Sequence, residues 1–457
     1  MKITREEDSV IKGVKRIHMI GIGGSGMCPL AEILHNKGYT LTGSDNNESD
    51  PLKRVRKLGI NVFMGHDAKN IDGAELVVYS AAIGLDNLEL VAAREQGIPT
   101  MERSHLLGAL TRQFDKVIGV CGTHGKTTVT SMVTQILCMA GFDPTAVIGG
   151  KLPLINANGR VGNSEYMVCE SCEFVDTFLR MSPDMSVLLN IDNDHLDYFG
   201  TMDNLVNSFK KFVAMSTITL VNGDDKLVKK AVVDFKGELI TFGLDDENDY
   251  TATNISQGKS GMEFDVVRKG EVLTHLQMQI PGRHNVYNGL AAFATAYRCG
   301  VPTEDIKKGI ESFGGAGRRF EKLGEFRGIT LVDDYAHHPT ELKATLTAAK
   351  QLGFPRIIAI FQPFTFSRTE LLKDDFIEAL SIADKVILMP IMGSREKNIS
   401  GISSQDLAKG LKDCVCVETF EEVANTAVSI AKDGDIIITM GGGDIYKAAY
   451  IIRDKMS

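Results

Sequence analysis

The chain has 457 residues, enough for about three domains at the usual ~150 residues each. Hydrophobic residues are 43% and charged residues 24% of it, which suits soluble globular domains with real cores. A net charge of −9 argues against broad nucleic-acid binding, no apolar run approaches the ~20 residues of a membrane span, and the polar N-terminus lacks a signal peptide's apolar core, so the expectation is a cytoplasmic protein without nucleic-acid or membrane partners.

Arg16–Ile20 reads as a strand leading into Gly21-Ile22-Gly23-Gly24-Ser25-Gly26, then a helix pattern that stops near Gly38. A second strand, Tyr39–Gly43, delivers Ser44 and Asp45. This is GxGxxG followed by an acid about 20 positions on, the Rossmann fingerprint. Its glycines admit a pyrophosphate to the helix start, and Asp45 can accept from a ribose hydroxyl. Any ligand with both groups satisfies it, so NAD is not forced. A third strand, Leu76–Tyr79, ends at Ser80, on the side of an open sheet where ligands bind.

The centre of the chain is Val120-Cys121-Gly122-Thr123-His124-Gly125-Lys126-Thr127-Thr128. It follows an apolar run, Lys116–Gly119, and opens a helix pattern that ends at Gly141. Strand, glycine turn, Lys-Thr and helix build a loop that cradles phosphates. Lys126 can reach a nucleotide's outer phosphates, and the Thr127 hydroxyl can ligate Mg²⁺. The spacing departs from GxxxxGK[ST], because Val120 stands where the first glycine is expected. Tyr166–Glu170 is a strand ending in an acid, and Ser186–Ile191 another, followed closely by His195. Glu170 and His195 are the metal candidates. A hard cation prefers oxygen, so residue type alone leaves His195 undecided. Tyr250–Ile280 alternates in short strands with hairpin signals at Gly258–Gly261 and Arg268–Glu271, a small antiparallel insert. His284, Asn285 and Asn288 crowd a helix start, where they can cap the helix or grip a base.

Beyond the glycine-rich run Gly314–Gly317 come Arg318, Arg319 and a strand, Ile329–Val332, that ends at Asp333-Asp334-Tyr335-Ala336-His337-His338-Pro339. Pro339 suits the first turn of the next helix. Further strands at Arg356–Ile360, Lys385–Leu388 and Asp435–Thr439 alternate with helices, so the sheet is mostly parallel. Gln362 to Arg368 lies at a strand's carboxyl end, a functional position. Eight cysteines in so long a chain are not a disulfide framework; Cys169, Cys172, Cys414 and Cys416 read as small residues in or beside strands.

Together the motifs at 18–27, 121–128, 190–195, 282–288 and 333–341 resemble the Mur ligase family over nearly the whole chain, in its alanine-adding branch. The resemblance implies an α/β protein of three domains: a Rossmann-like UDP-sugar domain at 1–108, a P-loop ATPase-like domain with a mostly parallel sheet and a small antiparallel insert at 109–314, and a Rossmann-like amino-acid domain at 315–457. It implies ATP-dependent joining of L-alanine to UDP-N-acetylmuramate through an acyl phosphate, in peptidoglycan synthesis, by a monomer or weak homodimer. Residues 122–128, that is Gly122, Thr123, His124, Gly125, Lys126, Thr127 and Thr128, would hold the ATP phosphates. Thr127, Glu170 and His195 would hold Mg²⁺. His284, Asn285 and Asn288 would meet adenine, Arg319 a phosphate and Asp334 the ribose. Tyr335, His337 and Arg368 would surround the alanine and the acyl phosphate. Gly23, Gly24, Ser25, Gly26, Ser44, Asp45, His66 and Ser80 would hold the UDP end. Hinges near Gly108 and Gly314–Gly317 would let the domains close. Phe364 and Phe366 stand where the family commonly has His and Tyr, Glu173 sits in a variant acidic run, and Lys210 and Lys211 are expected to be ordinary solvated lysines. A peptide-adding relative, a nicotinamide-dependent oxidoreductase resting on Gly21–Gly26 and Asp45, and a non-catalytic nucleotide switch are the alternatives.

Overall fold

The structure, a computed structural model, describes residues 5–258, 261–394 and 396–457. Lys259 and Ser260, in the expected Gly258–Gly261 turn, lie outside them. The chain forms two compact units. One comprises Met1–Thr251, Val267–Thr274 and Tyr287–Ile310; the other comprises Ala252–Val266, His275–Val286 and Glu311–Ser457.

The first unit holds a five-stranded, all-parallel sheet in the order Asn61–Met64, Thr40–Asp45, Arg16–Ile20, Leu76–Tyr79, Thr100–Glu102. The chain moves one way from Arg16–Ile20 and later returns to its other side. The crevice at that reversal opens beyond the strand ends, beside Gly21 and Ser80. Two of its strands, Asn61–Met64 and Thr100–Glu102, are too short and too exposed to carry a clear alternation, so pattern reading passes over them.

A second sheet has ten strands. Its middle is parallel: Lys116–Cys121 lies between Met185–Leu188 and Tyr166–Glu170, each in parallel register. Lys116–Cys121 is thus flanked by strands from opposite directions of chain travel, and the loop leaving it opens at a second reversal point. The following helix, Lys126–Met139, is buried from Thr127 to Leu137, so the loop is held between two fully packed elements. The insert strands Tyr250–Gln257, Met262–Arg268 and Glu271–Gln277 continue one end of this sheet, and the antiparallel strand Ala157–Arg160 closes the other.

One hydrophobic cluster runs from Ile17 and Leu34 of the first sheet's layer to Cys121, Phe209 and Val221 of the second. The N-terminal helix Glu6–Lys12 reinforces this join. Asp8 takes both oxygens to Arg112 Nε at 2.8 Å, and Arg112 Nη1 donates to the Arg180 carbonyl at 2.8 Å. The expected hinge at Gly108 is not a loose segment. Gly108 lies inside the helix Arg103–Thr111, and an added Cβ would stand 2.3 Å from the Arg180 carbonyl oxygen. Its missing side chain permits close packing, a use that sequence alone does not separate from flexibility.

The second unit holds a six-stranded sheet in the order Glu321–Phe326, Ile329–Asp334, Ile436–Met440, Ile357–Phe361, Lys385–Leu388, Cys414–Cys416. All neighbours are parallel except the Glu321–Phe326 edge. Separate hydrophobic clusters cover its two faces, as a parallel sheet requires. Its strand ends place Asp334, Phe361 and Met440 on one rim, each leading into a loop of polar or glycine residues.

Gly108→Ala tests the packing reading. Alanine in a helix interior ordinarily gains about 1 kcal/mol over glycine. Here the clash reverses the sign, and a loss of about 1–3 kcal/mol is expected in denaturant unfolding of the first unit. A stabilised variant would return Gly108 to a hinge role.

Candidate active site

At the first crevice, backbone geometry and one buried carboxylate set the residues in place. Asp45 turns back on the glycine loop: Oδ2 accepts from Gly23 N at 2.9 Å and Oδ1 from Asn47 N at 3.0 Å. Ser25 is tied by its carbonyl to the Asn158 side chain. Ser80 Oγ accepts from Ala82 N at 3.3 Å. Ser44 and His66 meet on Glu89, which the sequence reading missed. Ser44 Oγ donates to Glu89 Oε2 at 2.6 Å, His66 Nδ1 to the same oxygen at 3.0 Å, and Asn70 Nδ2 to Oε1 at 2.5 Å. Glu89 is fully buried, and burial alone would raise its pKa. The His18 ring, whose Nε2 lies 3.7 Å from Oε1, and the hydrogen bonds from Ser44 and Asn70 outweigh burial and bring it down to about 2. A carboxylate only accepts, so the His66 proton sits on Nδ1 and Nε2 is left for other partners. The missed signal was local: Glu89 shares a helix face with Ala92 and Ala93, both buried, where an acid is out of place.

The central loop is locked from its neighbour strand. His124 N donates to Asn190 Oδ1 at 2.8 Å, and Asn190 Nδ2 returns a bond to the His124 carbonyl at 3.0 Å. His124 Nε2 donates to Asp192 Oδ2 at 2.9 Å, while Asp192 N donates to Thr123 Oγ1 at 2.9 Å. Gly125 has φ +86°, and a Cβ there would come 2.6 Å from Asn288 Oδ1, so Asn288 closes over the turn. Gly122 also has positive φ.

Lys126 Nζ donates to the Gly122 carbonyl at 2.6 Å, the Thr123 carbonyl at 3.0 Å and both Glu173 oxygens at 2.9 and 3.1 Å. Burial alone would lower its pKa; the Glu173 charge overcomes this and holds it above the usual lysine value. Glu173, whose part the sequence left open, is therefore the lysine's counter-ion, itself only 1% exposed. Beside it, burial and the same Glu173 charge push the Cys172 thiol up to about 11, which leaves it unreactive at neutral pH.

Thr127 and Glu170 come together as expected. Thr127 Oγ1 donates to Glu170 Oε2 at 2.8 Å, and the same oxygen accepts from Gly149 N at 2.9 Å. An adjacent hydroxyl and carboxylate are the hard oxygen donors that Mg²⁺ takes. Thr128 is buried in the first turn of the helix. His195 adopts a left-handed backbone (φ +57°) ahead of a short helix. Its ring is 4.7 Å from Phe174, and Nε2 is 3.5 Å from Asp194. The geometry thus pairs Thr127 with Glu170 and places the His195 ring between Phe174 and its neighbour Asp194. Lys210 forms a surface ion pair with Asp234.

In the second unit, Gly282, Arg283 and His284 face Thr340, Lys343, Ala344 and Ala348 of the helix Pro339–Gln351 across a cleft of about 270 Å³. Asn285 Nδ2 donates to the Pro281 carbonyl at 2.6 Å, fastening the turn before the helix His284–Arg298. Asp334 is buried at the end of its strand, with Oδ1 accepting from Ala336 N and Oδ2 from Phe320 N, both at 2.7 Å. Arg319 lies 5.1 Å over the Tyr335 ring and 4.0 Å from Glu341. His337 Nδ1 is 3.0 Å from the Tyr335 carbonyl and 3.3 Å from Glu341, both acceptors, so Nδ1 carries a proton and turns it toward them. The His337 ring sits edge-on between Tyr335 (5.2 Å) and Phe364 (6.1 Å). Arg368 lies in the short helix Phe366–Leu371 that follows Phe364.

A glycine turn of the phosphate-loop type at the centre of one sheet, with a Rossmann-like sheet before it and another after it, is the build of a modular nucleotide-dependent ligase. The chain belongs to the Mur ligase family. "Mur ligase family, catalytic domain" matches residues 16–115, "Mur ligase middle domain" residues 120–296, and "Mur ligase, glutamate ligase domain" residues 318–443. The chain is 47% identical to the UDP-N-acetylmuramate–L-alanine ligase of Caldicellulosiruptor bescii, over 97% of this chain and 99% of that one. It is 43% identical to the ligase of the same name from Acetivibrio thermocellus, over 96% of each. The crystal structure of the UDP-N-acetylmuramate–alanine ligase of Thermotoga maritima superposes with a TM-score of 0.83 at 29% identity, over 96% of this chain and 98% of that one.

Asp334 carries a pH prediction. Burial raises its pKa from 3.8 to about 6, against the opposing Arg319 charge and the two N–H bonds. The folded state therefore holds this proton more tightly than the unfolded chain. The group's contribution to stability is fully present below pH 3.8 and is lost as pH rises through 6. Asp334→Asn should lose less stability than the parent between about pH 4 and about pH 7 in paired urea titrations. Parallel curves would mean an ordinary carboxylate.

Proposed function

We propose that this chain joins L-alanine to the lactyl carboxylate of UDP-N-acetylmuramate with cleavage of ATP to ADP and phosphate, an early cytoplasmic step of peptidoglycan synthesis. The observation that carries the reading is the Thr127–Glu170 pair beside Lys126, in a chain whose near-full-length relatives bear that activity as their name. In this reading the chain divides for function into residues 1–108 for the UDP-sugar, 109–314 for ATP and 315–457 for the amino acid. It works as a monomer or weak homodimer.

The substrate carboxylate attacks the γ-phosphorus of ATP, ADP leaves, and an acyl phosphate forms. The amine of alanine then attacks the acyl carbon, gives up a proton, and phosphate departs. Such a reaction asks the protein to align mutually repelling anions and to offset developing charge. Lys126 supplies a charge that Glu173 keeps from being lost on burial. To reach the β- and γ-phosphates its ammonium exchanges the Gly122 and Thr123 carbonyls for phosphate oxygens, a short move within the same loop. Thr127 and Glu170 would hold Mg²⁺, with His195 as a further ligand; the ion offsets charge on the transferring phosphoryl group. His284, Asn285 and Asn288 serve the adenine end, Asp334 the ribose and Arg319 a phosphate.

His337 is the proton acceptor in this scheme. Its Nδ1–H is spent on the Tyr335 carbonyl, which leaves the Nε2 lone pair for the ammonium of alanine. Tyr335 walls the ring on one side. Phe364 walls it on the other and leaves an apolar surface at the amino-acid site, consistent with a methyl side chain. Arg368 would hold the alanine carboxylate.

Phosphate release measured with ATP and Mg²⁺ should require both UDP-N-acetylmuramate and a free small amino acid, alanine best. Release only with a peptide would move the activity to a peptide-adding ligase, and none at all would remove the catalytic reading. Glu170→Gln should lower kcat by about 10²- to 10³-fold. His337→Ala should lower kcat by about 10²- to 10⁴-fold while leaving the KM for ATP little changed.

A further inference from the structure

The sequence sets two arginines side by side; Arg319 has a place in the proposed reaction and Arg318 does not. Arg318 uses all three nitrogens of its guanidinium inside the fold. Nε donates to Asp333 Oδ2 at 2.9 Å, Nη1 to the Gly443 carbonyl at 3.0 Å and Nη2 to the Gly441 carbonyl at 2.8 Å. The same group lies over two aromatic rings, 4.9 Å from the centre of Tyr335 and 4.8 Å from that of Tyr446. Its backbone is engaged as well: N donates to Glu321 Oε2 at 2.8 Å, and the carbonyl accepts from Tyr335 N at 2.7 Å. The residue adopts φ +60°, a left-handed conformation that is unfavourable for a residue with a Cβ and persists only where surrounding contacts impose it. A cation held by so many protein groups has little left to offer a ligand. What it can do is fix its partners.

Those partners meet at His337. Ile329–Asp334 and Ile436–Met440 are neighbouring parallel strands, with Asp334 opposite Met440. The loop leaving the first carries Tyr335 and His337; the loop leaving the second is Gly441-Gly442-Gly443. Arg318 bridges the two loops. On one side it supports the Tyr335 ring and, through its own carbonyl, the Tyr335 amide; the Tyr335 carbonyl in turn meets His337 Nδ1. On the other it grips the glycine loop, against which the His337 ring packs. A Cβ at Gly442 would stand 3.3 Å from His337 Cγ and 3.5 Å from Phe364 Cγ. Three glycines in succession have no side chains with which to hold a conformation, and glycine loses more freedom on ordering than any other residue. Two N–H bonds from one planar group supply the missing constraint. A lysine, with its donors on a single point, cannot span both carbonyls and Asp333.

We propose that Arg318 is a positioning residue for the amine-attack step: by fixing Tyr335 and the Gly441–Gly443 loop it sets where the His337 ring stands. This rests on His337 being the proton acceptor, as in the proposed function. In that step the amine nitrogen bonds to the acyl carbon and the bond from that carbon to the phosphate oxygen breaks. Phosphate leaves with the electron pair, and the ammonium proton passes to His337 Nε2. Arg318 touches no reacting atom and acts through His337. A misplacement of about 1 Å in such a group costs on the order of 10²-fold in rate. Phosphoryl transfer comes before the amine step and takes no proton to His337, so the loss of Arg318 falls on the second half-reaction and spares the first.

The experiment separates the two half-reactions in the full chain, for the parent, Arg318→Met, His337→Ala and the double variant. Acyl phosphate formed from ATP, Mg²⁺ and UDP-N-acetylmuramate without alanine is trapped by borohydride reduction; amide formation is followed once alanine is added. Arg318→Met should form acyl phosphate within about 2-fold of the parent's rate. Its alanine-dependent kcat should fall by about 10- to 100-fold, with the KM for ATP little changed. The double variant should be no slower than His337→Ala, because both changes remove the same contribution. Arg318→Lys should recover little of the loss. Equal loss in both half-reactions, or losses that multiply in the double variant, would overturn the proposal. Should Arg318→Met fold poorly, Gly442→Ala decides: it leaves the arginine in place, crowds the His337 ring and should show the same pattern. Gly442→Ala at the parent's kcat would overturn the proposal as well. No alanine-dependent turnover in the parent would remove the ligase reading. A His337 ring resonance displaced in folded Arg318→Met would then still keep the positional link, and an undisplaced one would end it.

Discussion

The centre of this molecule is built to keep one ammonium charged while it is out of water. A buried lysine tends to lose its proton, because the charged form is poorly solvated there. Lys126 keeps it because Glu173 lies within 3.1 Å on both oxygens and two loop carbonyls complete the shell. The rest of the central sheet is arranged around that pair. Tyr166–Glu170 delivers the carboxylate for Thr127 and leads straight into Glu173. Met185–Leu188 leads into Asn190 and Asp192, which clamp the loop from the other side. The loop needs both flanking strands, so it can exist only where the sheet reverses direction.

The same arrangement recurs, with variations, in the other two sheets. Each puts its polar residues beyond the carboxyl ends of parallel strands, where loops are free of the ladder and helix starts collect. Buried carboxylates hold the parts in place. Glu89 gathers Ser44, His66 and Asn70 in the first sheet, and Asp334 ties Phe320 and Ala336 in the third. They sit on opposite sides of the ordinary carboxylate range for a clear reason. Glu89 receives side-chain donors on both oxygens, enough to outweigh desolvation, whereas the two backbone donors at Asp334 do not.

Much of this was legible in the sequence. The strands Arg16–Ile20, Leu76–Tyr79, Tyr166–Glu170 and Lys385–Leu388 fall where the apolar runs put them, because buried parallel strands are apolar on both faces. The glycine loops fall at strand–helix junctions for the same local reasons. Short edge strands without such a cue were not legible: Asn61–Met64 and Glu321–Phe326 owe their existence to a neighbour, not to their own pattern, while Cys414–Cys416 is a strand at the place expected of its cysteines, which are half-buried and not buried because the strand lies on the edge. Gly108 shows a second limit, since sequence does not say whether a glycine serves bending or close contact. Glu89 and Glu173 show a third. Their partners lie tens of residues away, and a charged residue declares its role only when the fold reveals what it faces.

The ends of the sheets have a consequence of their own. A row of parallel strands with bare margins is a template on which another copy can add. Here the margins of the central and third sheets are poor for that purpose. The central sheet finishes at one side in the four-residue strand Ala157–Arg160 and at the other in the antiparallel insert, whose outermost strand begins with Glu271. The third sheet finishes in a three-residue strand, Cys414–Cys416, and in Glu321–Phe326, which carries Glu321, Lys322 and Glu325 and shifts register after Lys322. Both sheets thereby offer a poor template for a further strand, which disfavours polymerisation of the chain through their margins.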